Sequence, residues 1–267
     1  MIYFCATPIG NLKDMGIRTL EILREVDVIA CEDTRVSIKL LNEYGIKKKL
    51  ISYHKFNERA KSDEIIKLAS EGDIAVITDA GLPGISDPGS VLIKRLIEED
   101  IDFRVIPGAN AALTALVSSG LDTEHFLFYG FLNSKSSHRK KELQQLKTLK
   151  HTIIFYESPH RLKETLEDIF EVFGDRKISI SRELTKLYEE TIRGKLSEIL
   201  DTEITLKGEF VIVVEGSTEE EELDLGELLR DKINSGMSKS KAVKEIAKER
   251  GIPKNELYKA SLEVEDE

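Results

Sequence analysis

The first 119 residues alternate between short apolar runs and amphipathic stretches, and this alternation constrains the fold more than any other feature. Five apolar runs predict strands, at Ile2–Thr7, Val26–Cys31, Lys49–Tyr53, Ile74–Thr78 and Phe103–Ile106. The stretches between them, and residues 109–118 after the last, predict helices. Strands that alternate with helices form right-handed βαβ units around a mostly parallel sheet. We therefore predict an α/β domain over residues 1–119.

The pattern changes at Gly120, where a short polar segment predicts a hinge. Residues 120–216 hold longer strands that alternate more strictly, which predicts a second, α+β domain with a mixed, more antiparallel sheet. Its two helices are predicted at 139–149 and 159–173, the second capped by Ser158 with Pro159 at its first position. Residues 217–267 predict an acidic linker and a tail of three short helices.

Composition excludes several classes of protein. The net charge of −10 argues against a protein that coats nucleic acid by charge alone. The histidines are scattered, which predicts no metal site. Cys5 and Cys31 lie in apolar runs and are predicted to be buried free thiols in a reducing cytoplasm. No apolar run approaches membrane-spanning length and Met1 leads directly into a strand, so we expect a cytoplasmic protein without a signal peptide.

Charge is distributed unevenly along the chain. Residues 134–150 carry six lysines or arginines and one acidic residue, Glu142. Arg139, Lys140 and Lys141 are therefore candidates for contacts with a phosphate backbone. A helix face that is merely solvated explains these residues at least as well.

The longest loop at a predicted strand end is Thr78–Gly89, before the fourth helix. Its three glycines and two prolines let the backbone approach a ligand and fix the path of the turn. Asp79 and Asp87 add carboxylates that accept hydrogen bonds, although a role as helix cap explains Asp87 equally well. Open α/β sheets bind ligands at the carboxyl ends of their strands, so we predict a ligand site here.

Charged residues follow other predicted strands as well. Asp33 could act as a general base or orient one, and Arg35 could bind a phosphate. Alternatively, Asp33 is only the cap of the next helix, with Arg35 exposed. In the second domain, Tyr156–Arg161, Ser181–Lys186 and Lys207–Phe210 cluster charges at strand ends. These clusters predict a polar cleft between the two domains.

The absence of two common nucleotide-binding motifs narrows the range of functions. No G-x-G-x-x-G follows the first strand and no P-loop occurs, so a dinucleotide fold and a P-loop NTPase are not supported.

Other motifs are present and occur in order along the chain. The seven are Ala6-Thr7-Pro8-Ile9-Gly10-Asn11-Leu12, Glu32-Asp33-Thr34-Arg35, Asp79-Ala80-Gly81 with Ile85-Ser86-Asp87-Pro88-Gly89, Pro107-Gly108-Ala109, Ser119-Gly120-Leu121, Phe155–Arg161 and Arg182–Lys186. By these motifs the chain, from Ile2 to Gly216, resembles the tetrapyrrole methylase superfamily. Leu82-Pro83-Gly84 departs from the Thr-Pro-Leu that relatives often carry, so a hydroxyl contact would be missing.

The resemblance is strongest to the branch that methylates the ribose 2′-hydroxyl of a cytidine in small-subunit (16S) rRNA, in the decoding region. It implies S-adenosylmethionine as cofactor, the small ribosomal subunit as partner and a homodimer. By motif position, the implied cofactor contacts are Pro8, Asp79, Ala80, Gly81, Ile85, Ser86, Pro107, Gly108, Ala109, Asn110, Ala111, Tyr156, Glu157 and Gly194. Candidates for proton handling or orientation are Asp33, Glu183 and Lys186. Candidates for RNA contacts are Arg35, His160 and Arg161, together with Arg139, Lys140 and Lys141.

Two other functions remain open at this stage. A methylase of the same superfamily could act on a tetrapyrrole, but such a flat ring would favour a more apolar trough than these charged strand ends offer. A nucleic-acid-binding regulator could use the helical tail, whose layout resembles a helix-turn-helix. The glycine-rich loops of the first domain would then have no purpose.

Overall fold

The computed structural model describes residues 1–218, 225–250 and 252–263. The chain divides into two compact units, residues 1–217 and residues 218–267. Residues 219–222 of the predicted acidic linker, and Gly251 of the predicted helical tail, lie outside the described residues.

The first sheet contains five parallel strands in the order β3-β2-β4-β1-β5. They are β1 (Ile2–Cys5), β2 (Val28–Cys31), β3 (Lys49–Ser52), β4 (Ile74–Ile77) and β5 (Phe103–Ile106). Strand β1, next to the edge strand, pairs with both β4 and β5, so Ile2 lies between Ile74 and Phe103. The predicted parallel sheet is confirmed, with the first four strands one or two residues shorter than predicted.

Helices cover both faces of this sheet. They are α1 (Ile17–Glu25), α2 (Thr34–Glu43), α3 (Glu58–Ala69) and α4 (Ser90–Glu98). On one face, Leu23 of α1 and Leu41 of α2 pack against Ile29 and both cysteines. On the other face, α3 and α4 pack on the alternate side chains of the same strands. Cys5 and Cys31 are buried free thiols, as predicted.

The second sheet is mixed, in the order β6-β7-β10-β8-β9. Its strands are β6 (Phe126–Phe131), β7 (Thr152–Glu157), β8 (Lys177–Arg182), β9 (Glu190–Lys195) and β10 (Phe210–Val214). β6 and β7 are parallel, and the remaining pairs are antiparallel. One face is covered by α6 (Ser136–Leu146), α7 (Leu162–Phe173) and α8 (Leu196–Leu200).

Three details of this half differ from the prediction. Helix α7 begins at Leu162 with Arg161 at the cap position, rather than at Pro159. The reason is that the Glu157 carboxylate accepts a hydrogen bond from the Ser158 N–H (2.7 Å) and holds Ser158–Arg161 in a turn. Helix α6 begins three residues earlier than predicted, and α8 was missed because five residues are too few to show a periodicity.

Helix α5 (Ala111–Ser119) connects the two sheets of the first unit. It follows the last strand of the first sheet, yet it packs on the open face of the second. Ala115 and Leu116 lie in one buried cluster with Ile154 and Val213. The two predicted domains therefore share a hydrophobic core within residues 1–217.

The second unit is a small helical bundle. In the part of the chain that the structure describes, its three helices, as predicted, are α9 (Leu225–Asn234), α10 (Lys239–Arg250) and α11 (Lys254–Glu263). Leu229, Val243, Ile246 and Leu257 form its core. Among the described residues, no helix has the length and apolarity that crossing a bilayer requires.

Candidate active site

A cavity of about 390 Å³ lies where the carboxyl ends of the first sheet meet the strand ends of the second. This volume is typical of pockets that bind small molecules. The residues that line it are Ile9, Glu32, Asp79, Ala80, Gly81, Leu82, Ile85, Ser86, Asp87, Asn110, Ala111, Phe131, Tyr156, Glu157, Ser158, Pro159, Leu184, Gly208, Glu209, Phe210 and Val211. The cavity therefore draws on loops from both halves of the first unit, as the charged strand ends predicted.

Hydrogen bonds tie the loops around the cavity to one another. Thr7 and Gly81 exchange two backbone hydrogen bonds (2.9 and 3.1 Å), which joins the loop after β1 to the loop after β4. The Asp33 N–H donates to the Asp79 carboxylate (3.1 Å), which joins the loop after β2 to the same loop. Ser86, which lines the cavity, has a φ of 63° and is a strained non-glycine residue. The site is thus assembled from loops held in fixed positions.

Three carboxylates, Glu32, Asp79 and Asp87, make one wall of the cavity negative. Burial is the main cause that raises the pKa of each, and the charges of neighbouring carboxylates add to it: Asp79 for Glu32, Asp33 for Asp79, and both Glu32 and Asp79 for Asp87. Asp87 is affected strongly, since burial and the charges of Glu32, Asp79 and Glu209 raise its pKa to about 7. Because burial disfavours the charged form of these carboxylates, a cation that enters the cavity would stabilise their ionised forms.

Asp33 forms the cap that was one of its two predicted roles. Its carboxylate accepts a hydrogen bond from the Arg35 N–H (2.8 Å) at the start of α2 and pairs with the Arg35 guanidinium (2.5 Å). These side-chain and backbone hydrogen bonds from Arg35 lower the pKa of Asp33 to about 2. A carboxylate this acidic is a weak proton acceptor near neutral pH. Asp33 adjoins the cavity wall through Glu32 and Asp79 but is not itself part of the lining.

Glu183 and Lys186 form an ion pair beside the cavity. The Lys186 ammonium donates to Glu183 Oε1 and Glu209 Oε2, both at 2.9 Å. Burial opposes the charge on Lys186, but these two hydrogen bonds outweigh it and raise the lysine pKa. Burial likewise opposes ionisation of Glu183, yet Lys186 and the Glu209 N–H lower its pKa. Both groups are therefore charged at neutral pH.

Gly208 allows this ion pair to form. Its φ is +91°, and a Cβ at this position would lie 2.3 Å from Glu183 Oε1. Only glycine accommodates both the backbone conformation and the close approach of the carboxylate.

The wall contributed by β7 combines an aromatic cluster with a buried carboxylate. Tyr156 packs edge-on against Phe128 (5.0 Å between centroids) and Phe131 (5.6 Å). Glu157 is almost fully buried and pairs with Arg161 (2.6 Å), while the Thr165 hydroxyl donates to it (2.7 Å). Tyr156 thus offers a ring face to a ligand, whereas the Glu157 carboxylate is occupied by protein partners.

Most of the predicted cofactor contacts lie in the cavity wall, and some do not. Those that line it are Asp79, Ala80, Gly81, Ile85, Ser86, Asn110, Ala111, Tyr156 and Glu157. Pro8 and Ala109 are next to the lining residues Ile9 and Asn110 in the chain, and Pro107 and Gly108 lie further along the same loop.

Two of the predicted contacts, Gly108 and Gly194, do not line the cavity and stay predictions. A Cβ at Gly108 would lie 2.7 Å from the Ala6 Cβ, so this glycine serves the packing of loop against strand. Gly194 lies on β9 opposite Ile178, near the end of β8 that is remote from Arg182, and it does not line the cavity. Its position in an edge strand, not in a loop, explains the difference.

The predicted RNA contacts differ in their exposure. Arg35 is 87% exposed, and Lys141 and His160 are also on the surface. Arg139 is fully buried and pairs with Asp168 (2.6 Å) and Glu164 (3.0 Å), so it is not available to a phosphate. Lys140 pairs with Glu171 (2.6 Å).

Arg161 is largely committed to the protein as well. Besides Glu157, its guanidinium donates to the Leu132 carbonyl (3.3 Å), and about a quarter of the side chain remains exposed. The burial of Arg139 is not predictable from the sequence, because arginine is rarely buried unless it is paired and its acidic partners lie on another helix.

Several lining residues were not among the predicted site residues. Glu32, Leu82, Ile9, Leu184 and Phe210 lie inside segments that were quoted above, so position in the segment was the available signal. Asp87 was named only as a hydrogen-bond acceptor or helix cap of its loop. Val211 is an ordinary apolar residue and gave no signal. Among the described residues, no three His, Cys, Asp or Glu side chains are grouped so that they could hold a metal ion.

Comparison with known proteins identifies the family. The profile of the tetrapyrrole (corrin/porphyrin) methylases matches residues 1–200. This chain is a tetrapyrrole methylase family member. It is 46% identical to the ribosomal RNA small subunit methyltransferase I of Bacillus subtilis, over 97% of this chain and 93% of that protein. It is also 46% identical to the protein of the same name from Halalkalibacterium halodurans, over 96% of this chain and 93% of that protein.

A solved structure supports the fold. The uroporphyrin-III-C-methyltransferase of Thermus thermophilus superposes with a TM-score of 0.59 at 18% identity, covering 80% of this chain and 93% of that one. The predicted resemblance and fold class are confirmed. The family and the methyltransferase relatives also confirm S-adenosylmethionine as the expected cofactor.

The cavity fits this cofactor in its chemistry. S-adenosylmethionine carries a sulfonium and an ammonium, and the negative wall of Glu32, Asp79 and Asp87 suits both. Asn110 caps α5, which begins at Ala111, and the positive N-terminal end of this helix suits the cofactor carboxylate. The ring of Tyr156 and the neighbouring apolar side chains suit the adenine.

Proposed function

We propose that this chain transfers a methyl group from S-adenosylmethionine to the ribose 2′-hydroxyl of a cytidine in 16S rRNA, in the decoding region of the small ribosomal subunit. The observation that carries this proposal is the 46% identity, over nearly the whole chain, to relatives named ribosomal RNA small subunit methyltransferase I. The negative cavity at the carboxyl edge of the first sheet supports it independently, since it suits a cationic methyl donor.

The reaction is an in-line displacement in which the O–CH3 bond forms as the S–CH3 bond breaks. S-adenosylhomocysteine is the leaving group, and the 2′-hydroxyl gives up its proton to a base. When bound, the sulfonium supplies an activated methyl group, so the protein contributes alignment and removal of the proton. Glu183 and Lys186, held against Glu209, provide a fixed pair of charges at the cavity edge. We propose that this pair orients the ribose, with the protonated Lys186 donating to an oxygen of the substrate.

Among the carboxylates, Asp87 has the strongest case as proton acceptor. It lines the cavity, and its pKa of about 7 matches the working range of a general base. Asp33 has a pKa of about 2, so we propose that it positions the site by capping α2, by holding Arg35 and by donating its N–H to Asp79.

Cofactor affinity is expected to rise with pH around neutrality. The pKa of Asp87 is raised to about 7, so the carboxyl is neutral below that pH and negative above it. The negative form attracts the sulfonium, so the dissociation constant should fall between pH 6 and 8, by at most about tenfold per pH unit. Calorimetric titration of wild type and Asp87→Asn with the same cofactor isolates this contribution, because Asn cannot ionise. Parallel pH profiles for the two proteins would contradict it.

Exposed residues are available for contacts with the rRNA and with a second copy of the chain. Arg35, Lys141 and His160 are exposed and positively charged or polar, and we propose that they contact the rRNA backbone. A cytoplasmic location and a homodimer complete the proposal. The exposed apolar side chains Leu113 and Val117 on α5 would be covered in a dimer, which light scattering in solution would detect.

Ribose-methylation mapping tests the proposed function directly. Small subunits from cells that lack this protein are incubated with the purified chain and S-adenosylmethionine, and the 16S rRNA is then scanned for 2′-O-methyl groups. We expect one new modified cytidine in the decoding region. Methyl transfer to a precorrin-type ring, with no transfer to rRNA, would instead support the tetrapyrrole alternative.

A further inference from the structure

Phe56 is the most exposed phenylalanine of the chain. It lies in the loop between β3 and α3 and exposes 95% of its surface, whereas the next, Phe131, exposes 54%. A phenylalanine that stays exposed to water lacks the stabilisation of about 1.5–3 kcal/mol that full burial of its side chain would provide. Isolated exposed apolar residues are common, so exposure alone does not indicate a function.

The loop that carries Phe56 is fixed rather than loosely attached. The His54 N–H donates to the Asn57 side chain (2.8 Å), whose amide donates in turn to the Ser52 carbonyl (3.2 Å). The His54 ring lies edge-on to the Phe56 ring, with 6.1 Å between centroids. The turn therefore presents the aromatic ring to solvent in a defined orientation.

The same loop is joined to the active-site loops. Both the Tyr53 hydroxyl (3.1 Å) and the Gly89 N–H (2.8 Å) donate to Glu58 Oε1, and Gly89 ends the loop that contains Asp79 and Asp87. The Tyr53 N–H donates to the Cys31 carbonyl (2.8 Å), directly before the lining residue Glu32. Phe56 thus stands on the edge of the sheet that holds the cavity.

The surroundings of Phe56 are basic, in contrast to the acidic cavity. Lys55 and Arg59 are exposed on either side of it, and Arg35 is 87% exposed after the adjacent strand β2. An exposed aromatic ring among cationic side chains is the combination by which proteins bind single-stranded RNA: bases stack on the ring and phosphates meet the cations.

We propose that Phe56 stacks on an unpaired base of the RNA substrate, while Lys55 and Arg59 contact its backbone. The inference rests on the proposed function, because it assigns a surface to the same substrate. Stacking at a fixed platform beside the cavity would hold the RNA strand while the target ribose enters the site.

Kinetics with purified small subunits test the role of Phe56. We expect Phe56→Ala to raise the KM for subunits about 5- to 150-fold, the range that base–aromatic stacking supplies, with the cofactor dissociation constant unchanged. Phe56→Tyr, which retains a ring, should restore the wild-type KM. Ile97→Ala is the matched control, since Ile97 is 65% exposed on the last turn of α4. Wild-type methylation with an unchanged KM in Phe56→Ala would overturn this inference alone, whereas absence of methylation by the wild type would overturn the proposed function.

A fluorescence experiment tests the contact itself. The chain contains no tryptophan, so Phe56→Trp introduces a single reporter. Titration with protein-free 16S rRNA should quench its emission, because a stacked base quenches indole. Ile97→Trp should show little change. Equal quenching at both positions, or none at Phe56→Trp, would contradict stacking; loss of subunit affinity without such quenching would point to a ribosomal protein as the contact.

Discussion

Replacing Lys186 by methionine is expected to lower the turnover of small subunits by about 10²- to 10⁴-fold at saturating cofactor. The ammonium joins Glu183 and Glu209 at the edge of the cavity (2.9 Å to each), and methionine keeps the length of the side chain without its charge. Since the ion pair is partly exposed, its loss should change the thermal midpoint little. Single-turnover assays at several RNA concentrations provide the measurement. If turnover recovers at saturating RNA, Lys186 binds the substrate and takes no part in the chemical step.

Asp33→Asn is the matched comparison for that experiment. Asparagine caps a helix as well as aspartate does, so α2 should keep its N-terminus, while the ion pair with Arg35 is lost. A strong loss of turnover would keep Asp33 among the catalytic candidates. Near-normal turnover would show that the cap, and not the charge, is what the site requires.

Replacing Arg139 by alanine is expected to destabilise the first unit by about 3–5 kcal/mol, the usual cost of removing one partner from a buried ion pair. The guanidinium is fully buried and contacts Asp168 through Nε and Nη2, both at 2.6 Å. Without it, the buried Asp168 carboxylate keeps a hydrogen bond from the Ser136 hydroxyl (3.0 Å) and a more distant Lys140 (3.5 Å). Equilibrium unfolding in urea measures this change in the free energy of unfolding.

Lys141→Ala is the control for Arg139, since it removes an exposed charge from the same helix. Its effect on stability should stay within about 0.5 kcal/mol. The salt dependence of subunit binding separates the two roles further, because only a residue that meets phosphate changes its slope. An unaltered stability of Arg139→Ala combined with a flatter salt dependence would return Arg139 to the RNA-contacting set.

The sequence predicts the strands well because buried parallel strands are short and uniformly apolar. Val28–Cys31 and Ile74–Ile77 are buried at every position, and no amphipathic helix shows that pattern. The loops that line the cavity were also predictable, since the carboxyl ends of parallel strands meet at one edge. Asp79 and Asn110 reach the cavity for this reason.

Other features depend on contacts between residues that are far apart in the chain. The burial of Arg139 requires Asp168, which lies on a different helix. The pKa of Asp87 depends on Glu32 and Glu209, which come from two other loops. Helix α5 is apolar around most of its circumference, so its composition could not indicate which sheet it would cover. Local sequence patterns do not predict these contacts, because the residues that make them come together only when the chain has folded.

The placement of α5 has a consequence for the order of events on the ribosome that makes this chain. The helix is complete at Ser119, but its packing partners extend to Val213, about 95 residues later. At the usual 5–20 residues per second, synthesis of that interval takes on the order of 5–20 seconds. Throughout this time the apolar face of α5 stays exposed to solvent, because the strands that bury it have not all been synthesised. A chaperone can bind this exposed face. A nascent chain arrested shortly after residue 119 should therefore be protected by chaperones, and release of that protection should coincide with the emergence of β10.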